Sequence, residues 1–231
     1  MVMRFYLGGG GSEHDEAALW DEAFSSGQGV SIWPFAMAAG AARTGSVQWL
    51  SNALRGRGDF TIDPWGLDDT NSSPEDSMLR LRGSDVLAIP GGNTFDLLQH
   101  LQQRQLLQVV LDFLAGGGRV YGGSAGAILF GADIAMAELA DPNDAGLTDL
   151  AGLDLLAGAV VLPHYRPSQD AEVQQWVHQR GRTIIALPER SGVAVADWQA
   201  RNVGPDPVRI FTPDGEQHTH ESGSSWRLTD L

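Results

Sequence analysis

Short runs of β-branched and apolar residues alternate along this chain with longer segments whose apolar positions recur at helical spacing. That alternation predicts a mostly parallel sheet covered by helices on both faces. Residues 3–7 predict a first strand, broken by Gly8 to Gly11, and Ser12 with Asp15 three positions on forms a capping-box pattern for a helix reaching Phe24. Residues 30–33 predict a second strand, 46–54 a helix and 59–62 a weak third strand. Residues 85–90 read as a buried strand ending in Gly91 and Gly92, with Asn93 and Thr94 as a helix cap. Leu106, Leu107, Val110, Leu111 and Leu114 make one apolar stripe, which Gly116 to Gly118 terminate. Residues 119–121 predict a strand that runs straight into Gly122-Gly123-Ser124-Ala125-Gly126. Further strands are expected at 158–162, 183–186 and 193–196, a helix at 171–178, and a terminal hairpin within 207–231. Residues 132–137 fit a short strand, and 141–149 are the most loop-like internal segment.

Composition narrows the chemistry. With 231 residues, 42% of them hydrophobic, the chain suits one α/β domain over 1–231 with a full core. No apolar run approaches membrane-spanning length and the opening apolar stretch is too short for a secretory signal, so a soluble cytoplasmic protein without membrane contact is the expectation. A formal charge of −14 argues against a nucleic-acid partner, whose phosphates need Lys and Arg. A homodimer is left open. The chain has no cysteine, which excludes disulfides, thiolate metal sites and a cysteine nucleophile. All 15 basic residues are arginine, so Schiff-base lysines, Ser-Lys dyads and a P-loop lysine are excluded as well.

Three glycine-rich turns remain as candidate sites. The first fails as a dinucleotide fingerprint, because the third glycine would have to stand at Glu13 or His14. The second, Gly91-Gly92-Asn93-Thr94, is either a plain strand-to-helix turn or a set of free N–H groups suited to an oxyanion. The third places Gly122 and Gly126 two residues either side of Ser124, the spacing of a nucleophile elbow between strand and helix. Without lysine, Ser124 needs a histidine to take its proton. His164 follows a buried-strand pattern between Pro163 and Pro167, at the sheet edge where ligands bind in open α/β folds. The remaining histidines lie in helical segments or the tail. For the acid that orients His164, the carboxylates between serine and histidine make Glu138 first choice and Asp141 second.

Taken together, Gly91-Gly92-Asn93-Thr94 before a Leu-rich helix, Gly122-Gly123-Ser124-Ala125-Gly126-Ala127, Pro163-His164-Tyr165 and Leu187-Pro188-Glu189 resemble the peptidase E and cyanophycinase family of serine peptidases. The resemblance implies a three-layer α/β/α fold like that of class I glutamine amidotransferases, with serine where those enzymes use cysteine. It also implies Ser124 as nucleophile, His164 as general base, backbone N–H groups of Gly92 and Ala125 as oxyanion hole, a Glu or Asp near Glu138 to complete the triad, and no metal or organic cofactor. Gly91, Asn93 and Thr94 would line the substrate site. An acidic residue on the acyl side of the scissile bond (P1) would meet Arg166, unless that is a surface arginine; Glu189 would meet a substrate amino group or cap a turn. The implied activity is hydrolysis of short peptides, including those with N-terminal Asp. A cyanophycinase-like peptidase, an esterase or amidase, and a non-catalytic binding module are the rivals.

Overall fold

The computed structural model describes residues 3–65 and 73–231. Strands and helices alternate as β1 (Arg4–Gly8), α1 (Ala17–Ala23), β2 (Gly29–Ile32), α2 (Ala41–Arg55), β3 (Thr61–Pro64), α3 (Pro74–Leu81), β4 (Val86–Ile89), α4 (Thr94–Gln103), α5 (Leu106–Ala115), β5 (Arg119–Gly123) and α6 (Ala125–Ile128). The second half runs through β6 (Val160–Leu162), α7 (Asp170–Arg180), β7 (Ile184–Ala186), β8 (Gly192–Ala196), β9 (Gln199–Val203), β10 (Val208–Phe211), β11 (Gln217–His220) and β12 (Ser225–Arg227).

The central strands show why the fold has three layers. All of β4 is buried, and alternate side chains leave its two faces. Val86 and Ala88 pack with Leu19 and Trp20 of α1 and Leu50 and Leu54 of α2. Leu87 and Ile89 pack with Leu98 and Leu101 of α4 and Val110 and Leu114 of α5. Strand β5 divides the same way, Val120 toward the second group and Tyr121 toward the first. Strands β1, β5, β4, β2 and β3 are parallel, and β8, β9 and β12 extend that sheet with antiparallel pairs, giving the order β12-β9-β8-β1-β5-β4-β2-β3. A second sheet, β11-β10-β7-β6, pairs β6 with β7 in parallel and contains the expected tail hairpin as β10 and β11. Among the described residues no helix is long and apolar enough to cross a membrane.

Several elements differ from the sequence reading. Helix α2 starts at Ala41, well before residue 46, and α3 was not anticipated, although Ser73 and Asp76 cap each other's backbone there and Pro74 opens the helix. The apolar stripe of α5 is centred on Leu106, Val109, Val110, Phe113 and Leu114, with Leu107 and Leu111 half-buried beside it. Residues 132–137 are not a strand; Ala135–Leu139 forms a 3₁₀ turn instead, and only Asp133 makes a bridge, to Ala151.

The register sets where chemistry can occur. Gly8 pairs with Gly123 and Ile89 with Gly122, so β1, β4 and β5 release their chains at one edge. Residues 9–11, Gly91-Gly92 and Ser124 therefore converge there. His164, two residues beyond β6, is drawn to the same edge by its backbone N–H, which donates to the Gly9 carbonyl at 2.7 Å.

Candidate active site

Ser124 occupies a backbone conformation that L-residues avoid, φ 51° and ψ −110°, between the end of β5 and the start of α6. Two glycines make that conformation sterically feasible. A Cβ on Gly122 would collide with the Gly126 carbonyl, and one on Gly126 with the Ile89 carbonyl. The strand-turn-helix is thus packed against β4 with no room for side chains at either flank, and the serine is the first side chain free to project. Gly91 lies next to it, where an added Cβ would stand 3.1 Å from the Ser124 Cβ. Among the described residues no backbone carbonyl accepts from the N–H groups of Gly91, Gly92 or Ala125.

His164 also has a positive φ, 54°. Its Nε2 lies 2.9 Å from the Ser124 Oγ and its Nδ1 lies 3.0 Å from Glu189 Oε1. A carboxylate is acceptor-only, so Nδ1 carries the proton and donates to Glu189; the Nε2 lone pair then accepts from the Ser124 hydroxyl. The loop after β1 backs the imidazole: a Cβ on Gly10 would overlap the ring. Glu189 follows β7 as His164 follows β6, and the two strands are parallel neighbours with Leu162 opposite Ala186. One pair of adjacent strands delivers both His164 and the carboxylate it contacts to Ser124.

The model of peptidase family S51 matches residues 16–203 of this chain, most of its length. The chain belongs to peptidase family S51. Peptidase E of Salmonella paratyphi A is 28% identical over 160 residues, covering 64% of this chain and 68% of the relative. Peptidase E of Escherichia coli K12 is 28% identical over 175 residues, covering 70% of this chain and 74% of the relative. Among solved structures, a putative peptidase E protein from Listeria monocytogenes EGD-e superposes with a TM-score of 0.71 at 23% identity, over 88% of this chain and 99% of that one. A peptidase from an acI-B1 Actinobacterium gives 0.66 at 15% identity over 98% and 97% of the two chains. These structures share the class I glutamine amidotransferase-like fold, and the S51 chain described here is a peptidase.

Within this S51 chain the residues expected at the site are distributed unevenly. Gly91 and Gly92 line the cleft that holds Ser124 and His164. Asn93 and Thr94 face elsewhere: the Asn93 side chain accepts from the Asp96 N–H and donates to the Pro142 carbonyl, and the buried Thr94 donates through backbone and hydroxyl to Asp141. Asp141, the second choice for the acid, is thereby occupied at the start of α4. Glu138, the first choice, pairs with Arg180 at 3.2 Å. Neither touches His164; the carboxylate that does is Glu189, which the sequence reading had set against a substrate amino group or a turn. Glu189 lies beyond His164 in chain order, outside the interval between Ser124 and His164 that holds Glu138 and Asp141. The available signal was a repeat: Leu-Pro followed by His164 closes one short buried strand, β6, and Leu-Pro followed by Glu189 comes directly after another, β7, so both partners emerge at one edge.

A second group the sequence did not mark is Glu16, which is 1% exposed. Its Oε1 accepts from the N–H groups of Gly10 (2.7 Å) and Gly11 (3.2 Å), and its Oε2 from the Tyr121 hydroxyl (2.7 Å) and the Trp20 indole (3.3 Å). The carboxyl thus holds the loop that backs His164 against the strand that carries Ser124. Burial pushes its pKa from 4.5 up to about 7, against the opposing effect of the Tyr121 hydrogen bond. Between those values the folded chain binds more proton than the unfolded one. The stability from this group is complete below the unfolded value and is lost as pH rises through the folded one, by something of the order of 3 kcal/mol. Glu16→Gln removes that titration. In urea unfolding across pH 4 to 8, wild type should lose stability relative to the variant as pH rises; a difference that stays constant with pH would contradict the assignment.

Proposed function

We propose that this S51 peptidase is a serine enzyme that hydrolyses short peptides through an acyl-enzyme, with Ser124 as nucleophile, His164 as general base and Glu189 as the acid that orients it. The observation that carries this reading is the continuous line from Ser124 Oγ to His164 Nε2 and from Nδ1 to Glu189 Oε1, at 2.9 and 3.0 Å. Those distances lie within the reach a nucleophile and its base need.

His164 Nε2 takes the hydroxyl proton as the Ser124 oxygen forms a bond to the peptide carbonyl carbon. The carbonyl oxygen becomes an oxyanion, held by the N–H groups of Gly92 and Ala125, which are aimed before reaction and need no reorganisation. Glu189 stabilises the imidazolium. The C–N bond then breaks as His164 passes its proton to the leaving nitrogen, and the amine departs. A water, deprotonated by the same imidazole, attacks the ester; the acid product leaves and the Ser124 oxygen recovers a proton. Asn93 and Thr94 support this machinery by fastening the 141–142 loop to α4 rather than by touching substrate.

A serine-directed phosphonate tests the chemistry independently of substrate preference. One equivalent should attach to Ser124, found by peptide mass mapping, and hydrolysis should stop in proportion to labelling. Persistent hydrolysis in the fully labelled protein would exclude Ser124 as nucleophile.

A further inference from the structure

Glu16 links the loop beside His164 to the strand that ends at Ser124. Its Oε1 takes the N–H groups of Gly10 and Gly11. That loop meets the base twice: the Gly9 carbonyl accepts from the His164 backbone N–H at 2.7 Å, and Gly10 lies so close to the imidazole that a Cβ would stand 2.3 Å from its Cε1. Its Oε2 takes the hydroxyl of Tyr121, which lies on β5 shortly before Ser124. Tyr121 also forms part of the wall of the cleft that contains Ser124, and its hydroxyl lies against Gly123, where an added Cβ would stand 2.9 Å from it.

Every partner of Glu16 donates, which suits an acceptor-only carboxylate. Among the described residues no cation pairs with it: Arg57 is paired with Asp21 and Arg201 with Glu22, while the acidic neighbours Glu13 and Asp15 turn to the Trp49 indole and to Ser12. A proton taken up here has one place to go. Backbone N–H groups and the Trp20 indole cannot accept, so it must sit on Oε2 and be donated to the Tyr121 oxygen. Tyr121 then has to turn its own hydrogen away from Glu16. Its other partner among the described residues, the Trp20 indole at 3.1 Å, is also a donor, so that hydrogen is left without an acceptor at the cleft wall. The bonds to Gly10 and Gly11 lose their charge assistance in the same step. Tyr121 itself stays protonated, because burial and the adjacent Glu16 charge hold its hydroxyl well above its ordinary value.

We propose that Glu16 and Tyr121 are a proton-sensitive positioning pair: only with Glu16 ionised is the glycine loop held so that His164 meets Ser124 in reactive geometry. The inference rests on the serine-peptidase reading above. The exchange lies near neutral pH, since burial raises the Glu16 pKa to about 7. The form that serves the reaction is then the one whose desolvation lowers the stability of the fold.

The test follows inactivation of Ser124 by an alkyl fluorophosphonate from about pH 5 to 9, which reads serine reactivity without a peptide substrate. In wild type the logarithm of the rate should fall toward acid with a limiting slope of about two, one proton for the His164 imidazole and one for Glu16. Glu16→Gln keeps an acceptor for Gly10 and Gly11 and turns its amide N–H₂ to Tyr121, which fixes the arrangement of the protonated acid. Its slope should drop to about one, and its rate on the alkaline plateau should lie about tenfold below wild type. Tyr121→Phe removes a hydrogen bond that favours ionised Glu16, so its acid limb should move up by about one pH unit. A merely structural role would lower every rate without changing slope or midpoint. If Glu16→Gln does not fold, the wild-type slope and the Tyr121→Phe limb decide. A wild-type slope of about one, or variant profiles with the wild-type slope and midpoint, overturns the inference, while labelled Ser124 leaves the serine mechanism standing. If Ser124 is not labelled at any pH, both readings fall.

Discussion

Ser124→Ala will lower kcat/KM for peptide hydrolysis by about 10⁴-fold or more while leaving the fold in place. The size of the loss follows from chemistry: alanine offers no oxygen for acyl transfer, and the intact His164–Glu189 pair can at best activate water. The preserved fold follows from the backbone. Ser124 already sits at φ 51° and ψ −110°, and an alanine there bears the same strain, since both residues have a Cβ. Among the described residues the Ser124 Oγ has one side-chain partner, His164, so within that set no further hydrogen bond is lost. Circular dichroism and a thermal melt alongside initial rates check both halves. Turnover within tenfold of wild type would exclude the serine mechanism.

Glu189→Gln will reduce kcat by about a thousandfold, with a much smaller change in KM. Glutamine can still contact Nδ1, but it presents no charge to the imidazolium and its amide N–H₂ favours the wrong ring tautomer. The carboxylate is about half exposed, 48%, which makes the loss smaller than for a fully buried triad acid. Glu138→Gln is the companion measurement. Its pair with Arg180 is about half exposed on both sides, so removing the charge should change rates and stability by little. Loss of kcat in Glu138→Gln with normal turnover in Glu189→Gln would reverse the assignment.

The contrast between those two glutamates shows how far local pattern reaches. Ser124 was legible because its elbow is a local object: a strand, two glycines at fixed offsets and a helix leave a readable trace. His164 was legible because a buried strand followed by Pro-His marks a strand end. Glu138 was chosen for closeness in chain order to the elbow, but residues 132–137 lack the strand that would have aimed it, and Arg180 of α7 holds its carboxylate. Glu189 lies 25 residues beyond His164, yet β6 and β7 are side by side, so their ends are neighbours. Glu16 had no local signature at all. A glutamate just ahead of a helix is ordinary; only the packing of Gly8, Gly10, Gly11, Trp20 and Tyr121 around it makes it a buried acceptor.

By itself the sequence determined what is encoded within a few consecutive residues. That covers the alternation of strands and helices, the layering implied by a doubly buried β4, the elbow at Ser124, the strand-end position of His164, and the exclusion of cysteine and lysine chemistry. Tertiary structure alone decided which distant groups meet: Glu189 rather than Glu138 or Asp141 at His164, Asn93 and Thr94 turned toward the 141–142 loop, Glu16 beneath the glycine loop, and Arg166 in a cleft apart from Ser124. The physical reason is one of range. Backbone sterics and side-chain periodicity act over a turn or a strand, whereas strand order and register place residues tens of positions apart at one edge, and no local pattern records that order.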